Sequence, residues 1–354
     1  MLVALCLTSA ACASASVTAV KDQPQPAPAA AEPSAESASR PAASASEARA
    51  AERADARNVS LEMVAANAPI DLGHGLTAQP SVLLKLSEAH RHVLLVDLPR
   101  ARLYLLENTA KGVKVIRQHY AAMGKNGFGK QLAGDNRTPV GIYTVSGYRG
   151  DGSLPAFYGP GAFPLNYPND WDFAKKRTGS GIWLHGVPPN TYTRAPRSSE
   201  GCVTMANDDL LALRQYLKAG ETPVILTDRL DWLSPSQLAA ASGAITTQIE
   251  NWRSKWSAID TKAYLDFYAD DFHSAGLNKA AFSEYKFRVN SSKKRIKVDV
   301  RDLDLFAYPG EDNLVLAEFT QDYDSDNYRV SNRKQQFWKK QADGSWKILL
   351  EESR

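Results

Sequence analysis

A chain of 354 residues has room for two ordinary domains with separate cores. Its 44% hydrophobic and 23% charged residues describe a globular protein and exclude a fibre or a membrane bundle. A formal net charge of +3 is small for this length, and it excludes the strong basic patch of a dedicated nucleic-acid binder.

Met1 to Val20 is an apolar stretch that runs into small residues, and both Ala11-Cys12-Ala13 and Ala13-Ser14-Ala15 satisfy the small-x-small rule for signal-peptide cleavage. A signal peptide is expected over residues 1–15, and with it export to the periplasm and only transient contact with the membrane. Lipidation at Cys12 fits less well, because Ser9 stands where an aliphatic residue is needed. Cleavage removes Cys6 and Cys12 and leaves Cys202 as a single thiol with no disulfide partner. Such a thiol in an oxidising compartment invites a chemical explanation; the alternative is an inert cysteine packed as a small hydrophobe.

Residues 16–58 are rich in Ala, Pro, Ser and Glu and read as a tether that cannot bury enough surface to fold. Residues 59–90, with apolar clusters broken by Pro69, Gly73, Gly75 and Pro80, read as a lead-in of short helices. From His92 the character is strand-like: His92 to Leu98, Arg102 to Leu106, Val113 to Tyr120 and Thr138 to Val145 alternate or run apolar between Pro and Gly turns. Gly181 to Leu184 leads into His185, Asn207 is the expected cap of a helix carrying Leu210, Leu213 and Leu217, and Thr222 to Thr227 closes the region. Residues 91–230 are therefore expected to be a mostly-β sandwich or barrel-like domain with one or two helices.

Residues 231–244, Ala-rich and containing Pro235, read as a linker. Beyond it Ile245, Ile249, Trp252, Trp256 and Ile259 recur at helical spacing, and a second short helix carries Tyr264, Phe267 and Tyr268. Strands with Ile296, Val298 and Val300, then Val315, Ala317 and Phe319, follow, and Asp343-Gly344 marks a hairpin turn. Residues 245–354 are expected to form an α+β cone.

The chemistry concentrates in His185-Gly186 and in Ser199-Glu200-Gly201-Cys202-Val203. A thiol is mostly protonated at neutral pH, so Cys202 needs a base, and His185 at a strand end is the candidate. Gly186 and Gly201 let backbone approach a substrate closely, and N–H groups around Gly201 and Cys202 are candidate oxyanion donors. Ser199 either hydrogen-bonds near the site or holds the turn. Lys175, Lys176, Arg177, Arg194 and Arg197 flank the pair, with Arg177, Arg194 and Arg197 the candidate carboxylate binders, although a solvated basic loop is the default reading for each. Trp171 and Trp183 are candidates for a groove wall or for core.

His-Gly, a spacer and Ser-x-Gly-Cys-Val resemble the signature of L,D-transpeptidase (YkuD-type) catalytic domains. Val93 to Asn108, Met123-Gly124-Lys125, Gly134 to Tyr143 and Arg177 to His185 extend that resemblance over about His92 to Asp228. It implies a β-rich enzyme in which Cys202, with His185 as base and Gly186 orienting the ring, cleaves the bond between residues 3 and 4 of peptidoglycan stem peptides. A thioester would then pass to an amine acceptor. Glu200 stands where many members have His, and Thr204 where many have Arg. The C-terminal region, through Trp252, Trp256, Asp260, Tyr264 and Phe272, resembles the NTF2-like fold, whose pocket hosts unrelated activities. A binding or dimer-forming role is expected for it, with the run Lys293 to Lys297 as a candidate wall-facing edge. An L,D-carboxypeptidase using water, and a non-catalytic wall-binding scaffold, are the rival readings. No cofactor is expected. His90 and His92 alone supply too few ligands for a metal, and none is expected.

Overall fold

In the computed structural model of the chain, residues 78–150 and 152–354 are described. The expected signal peptide, the tether and the lead-in up to residue 77 lie outside the described residues.

Where the lead-in is described it is not helical. It forms two short strands, β1 (Gln79–Pro80) and β2 (Leu83–Lys85). The sequence then makes a meander of β3 (His92–Asp97), β4 (Arg102–Thr109) and β5 (Gly112–Tyr120). Next come β6 (Met123–Gly124), β7 (Gly141–Thr144), β8 (Arg149–Gly150) and β9 (Gly161–Pro164), then helix α1 (Asp170–Ala174). The catalytic-domain candidate ends with β10 (Trp183–His185), β11 (Arg197–Ser199), β12 (Val203–Thr204), α2 (Asn207–Leu213), β13 (Pro223–Thr227) and β14 (Trp232–Leu233).

Two sheets organise this half. One has the order β5-β4-β3-β13-β7, and the other β12-β10-β9-β8. The apolar run of β3 is explained by burial on both faces: Leu94 and Val96 enter the core beneath the second sheet, while Val93 and Leu95 enter a second cluster on the opposite face. The described elements are mostly β, as expected.

The second half begins with α3 (Pro235–Ser257), α4 (Thr261–Leu265), β15 (Tyr268–Ser274), β16 (Leu277–Asn278) and α5 (Lys279–Asn290). The long strands β17 (Ile296–Ala307), β18 (Leu314–Ser325), β19 (Arg329–Lys340) and β20 (Trp346–Ser353) complete it. Ile245, Ile249, Trp252 and Trp256 line the buried stripe of α3, which packs on the sheet through Phe319, Trp338 and Ile348. The expected linker is instead the start of this helix: Ser234 and Gln237 form a capping box and Pro235 occupies the first turn. Ile259 falls just past the helix end at φ 57°.

The sheet order β16-β15-β20-β19-β18-β17-β2 shows that the lead-in strand closes the edge of the C-terminal sheet. Phe306, Tyr308, Leu316, Phe337 and Leu350 of that sheet share one buried cluster with Val93, Leu95, Trp171 and Ile225. A continuous apolar core therefore joins the two modules.

Candidate active site

β10 and β12 lie side by side and parallel, with Leu184 opposite Val203 and His185 opposite Thr204. Period-two alternation then puts Trp183, His185 and Thr204 on one face, and Cys202 stands one residue before β12 begins. The pairing thus sets the strand that ends in His185 beside the strand that begins just after Cys202. The hydrogen bond made by the Cys202 thiol goes to the Gly181 carbonyl (3.4 Å).

His185 is buried, and its Nδ1 lies 2.7 Å from the Gly186 carbonyl. That carbonyl accepts a proton on Nδ1 and leaves Nε2 as the basic nitrogen. Gly186 has no room for a side chain, since a Cβ there would stand 2.4 Å from Asn207 Oδ1 and 2.8 Å from Pro160 Cδ. Asn207 is the first residue of α2 rather than its expected cap, which is Ala206. Its Oδ1 accepts the Val187 N–H (2.8 Å) and so props the turn that follows the histidine.

The turn before Cys202 is held internally. Ser199 Oγ donates to the Cys202 carbonyl (2.5 Å) and accepts the Gly201 N–H (3.2 Å), so Ser199 supports the loop. Gly201 adopts φ +127° with the Arg137 carbonyl 2.9 Å from where a Cβ would be, and both facts require glycine. Its own N–H is engaged by Ser199, which removes it from the expected pair of oxyanion donors. Thr138 Oγ1 donates to the Gly201 carbonyl (2.9 Å) and accepts the Gly124 N–H (2.9 Å), linking the Gly134–Tyr143 segment to this turn.

Burial acts in opposite directions on the two reactive groups. It pushes the imidazole of His185 down to about 4, with the Arg194 charge adding to the effect and the Gly186 carbonyl opposing it. It pushes the Cys202 thiol up to about 11, with Glu200 adding to the rise and the Trp183 backbone, Arg194 and Lys130 opposing it. Near neutral pH the thiol and the imidazole are therefore both uncharged.

The other candidates separate. Trp183 stays at the site, packed on Tyr158 (5.0 Å between ring centroids) beneath the Arg149 guanidinium. Arg194 also stays there, its guanidinium over Phe157 (5.0 Å) and hydrogen-bonded to the Ser198 carbonyl. Arg197 is exposed on β11, flanking the turn. Arg177 is not a site residue: its guanidinium points away into ion pairs with buried Asp172 (3.0 Å) and with Glu311 (3.2 Å) of the C-terminal module. Lys175 and Lys176 are exposed, Lys175 lying over the Trp171 ring (4.7 Å). Trp171 itself is buried between the modules, stacked on Phe337 at 5.2 Å and 15°.

Sequence reasoning missed Phe157 and Tyr158, whose rings pack on His185 at 5.6 and 4.9 Å. They lie in a single 3-10 turn, which carries no periodic signal. His90 and His92 do not act together. His92 meets the Tyr216 ring, while His90 converges with Asp304 and Glu318 in a group with metal-ligand character. The Arg333 guanidinium already lies 3.1 Å from His90 Nε2, 3.5 Å from Asp304 and 3.4 Å from Glu318, so a cation occupies that place.

Residues 91–226 match the L,D-transpeptidase catalytic domain, and residues 244–352 match the Cds6 C-terminal NTF2-like domain. No curated protein matches the chain. Among solved structures, Bd1075 of Bdellovibrio bacteriovorus is 31% identical over 78% of this chain and 98% of its own, with a TM-score of 0.69. The helical cell shape determining protein Pgp2 from Campylobacter jejuni is 25% identical over 77% and 94%, with a TM-score of 0.64. Cys202, His185 and the helix-then-sheet module behind them thus lie inside matched regions: the chain belongs to the L,D-transpeptidase (YkuD-type) catalytic domain family and carries a C-terminal NTF2-like domain.

Proposed function

We propose that this enzyme is an exported L,D-transpeptidase that remodels peptidoglycan, with Cys202 as nucleophile and His185 as general base. The reading is supported by the register of β10 and β12, in which the strand ending in His185 pairs with the strand that begins just after Cys202, and by the His185 Nδ1 lying against the Gly186 carbonyl. Because both groups are neutral at rest, the thiol turns from the Gly181 carbonyl and passes its proton to His185 Nε2 as Sγ attacks the carbonyl of stem residue 3. The tetrahedral intermediate collapses when the imidazolium returns the proton to the amine of residue 4. That breaks the 3–4 peptide bond and leaves a thioester on Cys202. An acceptor amine then loses a proton to His185, attacks the thioester and frees the thiol. With the Gly201 N–H engaged by Ser199, the oxyanion donor on this turn is the Cys202 N–H.

Water as acceptor, giving an L,D-carboxypeptidase, is the second reading. It is favoured by the half-exposed setting of Cys202, which leaves a thioester open to solvent. The shared two-module layout with Pgp2, a cell-shape-determining protein, supports a role in cell shape for either reaction. Incubation with disaccharide tetrapeptides, followed by mass spectrometry, tests both. A cross-linked dimer is the product of the first and a tripeptide of the second, and wild-type products from Cys202→Ala would remove the assignment.

A further inference from the structure

The two modules meet at a point that leads directly to the thiol. Glu311, in the turn between β17 and β18, accepts the Trp171 Nε1–H (2.9 Å) and an Arg177 Nη2–H (3.2 Å) with the same oxygen, Oε1. Arg177 also donates through Nη1 to Asp172 (3.0 Å), whose other oxygen accepts the Tyr143 hydroxyl and the Asn169 N–H (both 3.1 Å). Asn169 in turn reaches the Tyr308 hydroxyl of the NTF2-like domain (2.8 Å). The start of the segment running from Arg177 to Gly181 is therefore fixed by groups from both modules.

That segment carries the constraint forward. The Thr178 N–H donates to the Gln131 carbonyl (2.9 Å), and its own carbonyl accepts the Tyr167 hydroxyl (3.1 Å). Its left-handed residues, Gly179 at φ 99° and Gly181 at φ 72°, with Lys176 at φ 57° just before it, define one path for the backbone. The path ends at the Gly181 carbonyl, the acceptor of the Cys202 thiol. We infer that Glu311 of the NTF2-like domain is a positioning residue for Cys202, acting through Arg177 and the Arg177–Gly181 segment. The inference rests on the reading of Cys202 as the nucleophile. It makes the NTF2-like domain part of the support of the active site, not only a separate ligand-binding module.

The experiment uses the full chain with Cys6→Ser and Cys12→Ser, so that alkylation by iodoacetamide reports Cys202 alone. Glu311→Ala is expected to lower kcat for tetrapeptide cleavage about tenfold or more while KM changes little, because sub-ångström displacement of a reacting atom acts on the chemical step. The pH midpoint of alkylation is expected to move down, since the thiol loses an acceptor that favours its protonated form. Glu311→Gln keeps the Trp171 acceptor and is expected to fall between the two; it carries the test if the alanine variant does not fold. Arg354→Ala removes a different link between the modules, the ion pair to Asp170 (2.7 Å), which does not lead to the thiol, and is expected to leave kcat and the alkylation profile unchanged. Wild-type kcat and alkylation in the Glu311 variants would overturn the inference, and so would an equal loss in Arg354→Ala. Alkylation is read without turnover, so failure of the nucleophile assignment, seen as activity in Cys202→Ala, is a separate result.

Discussion

A buried imidazole lowered to about 4 and a half-exposed but partly desolvated thiol raised to about 11 set the protonation state that the proposed reaction starts from. The rate-competent form, with one proton on sulfur and none on Nε2, persists between those two values. The acid limb of kcat/KM is therefore expected near pH 4 rather than near the ordinary histidine value of 6.5, as steady-state assays from pH 3.5 to 8 would show. A limb near 6.5 would mean that the ring is solvated and the buried site wrong. Stability follows the same sign. The folded pKa lies below the unfolded one, so this contribution is complete above about pH 6.5 and is lost as pH falls towards 4. Its size, about 3 kcal/mol, is the order given by a shift of this extent in a group that is almost wholly buried. His185→Gln is expected to flatten that part of the stability curve, measured by urea denaturation at pH 5 and pH 7.

Asn207 makes a second test at this scale. Its side chain touches no reacting group; it holds the Val187 N–H and crowds Gly186. Asn207→Ala is expected to reduce kcat by about tenfold at unchanged KM, because loosening the turn that follows His185 displaces a positioned group. A change confined to KM would place Asn207 in substrate binding instead.

Among the elements, what the sequence made legible is what rests on local signals. The buried stripe of α3 is periodic over about three turns, and the Asp343-Gly344 hairpin joins β19 to β20 with Gly344 at φ 84°. The His185 and Cys202 positions were readable because chemistry restricts their residue types. The linker was misread because its alanines carry no apolar stripe, although Ser234, Pro235 and Gln237 are helix-start residues in the right order. The described end of the lead-in, residues 78–90, departs from the helical expectation for a different reason. β2 is three residues long, and only its pairing with β17, more than two hundred positions away, makes it a strand. Arg177 was misplaced because closeness in sequence to His185 says nothing about which way a turn with positive φ aims a side chain.

The strand β2 has an energetic consequence. Leu83 is buried in the cluster shared by both modules and Leu84 in the core of the NTF2-like domain, so one short strand serves two cores. Leu83→Ala and Leu84→Ala are each expected to cost about 2–5 kcal/mol, the range for truncating a buried leucine. Chemical denaturation measures this, and losses below about 1 kcal/mol, the level of a surface substitution, would show that the strand is peripheral.

Across the whole molecule, an apolar core continuous through β3, β13, β17 and β19 opposes independent motion of the two modules. Trp171, stacked on Phe337 and tied to Glu311, spans the two modules within it. The polar edge of the same interface is where pH enters. His90 faces Asp304, Glu318 and Arg333 from β17, β18 and β19. Burial opposes its charging, but the hydrogen bond and charge of Asp304, with Glu318 helping and Arg333 opposing, hold its pKa above the ordinary 6.5. A folded value above the unfolded one stabilises the folded state fully below pH 6.5, and that contribution disappears as pH rises through the folded value. Heating monitored together by tryptophan fluorescence and far-ultraviolet circular dichroism should give one coincident transition for both modules. Its midpoint should decline from pH 6 to pH 9 in wild type and decline less in His90→Gln. Two separate transitions, or the same pH slope in the variant, would show that the interface is neither continuous nor held by this histidine.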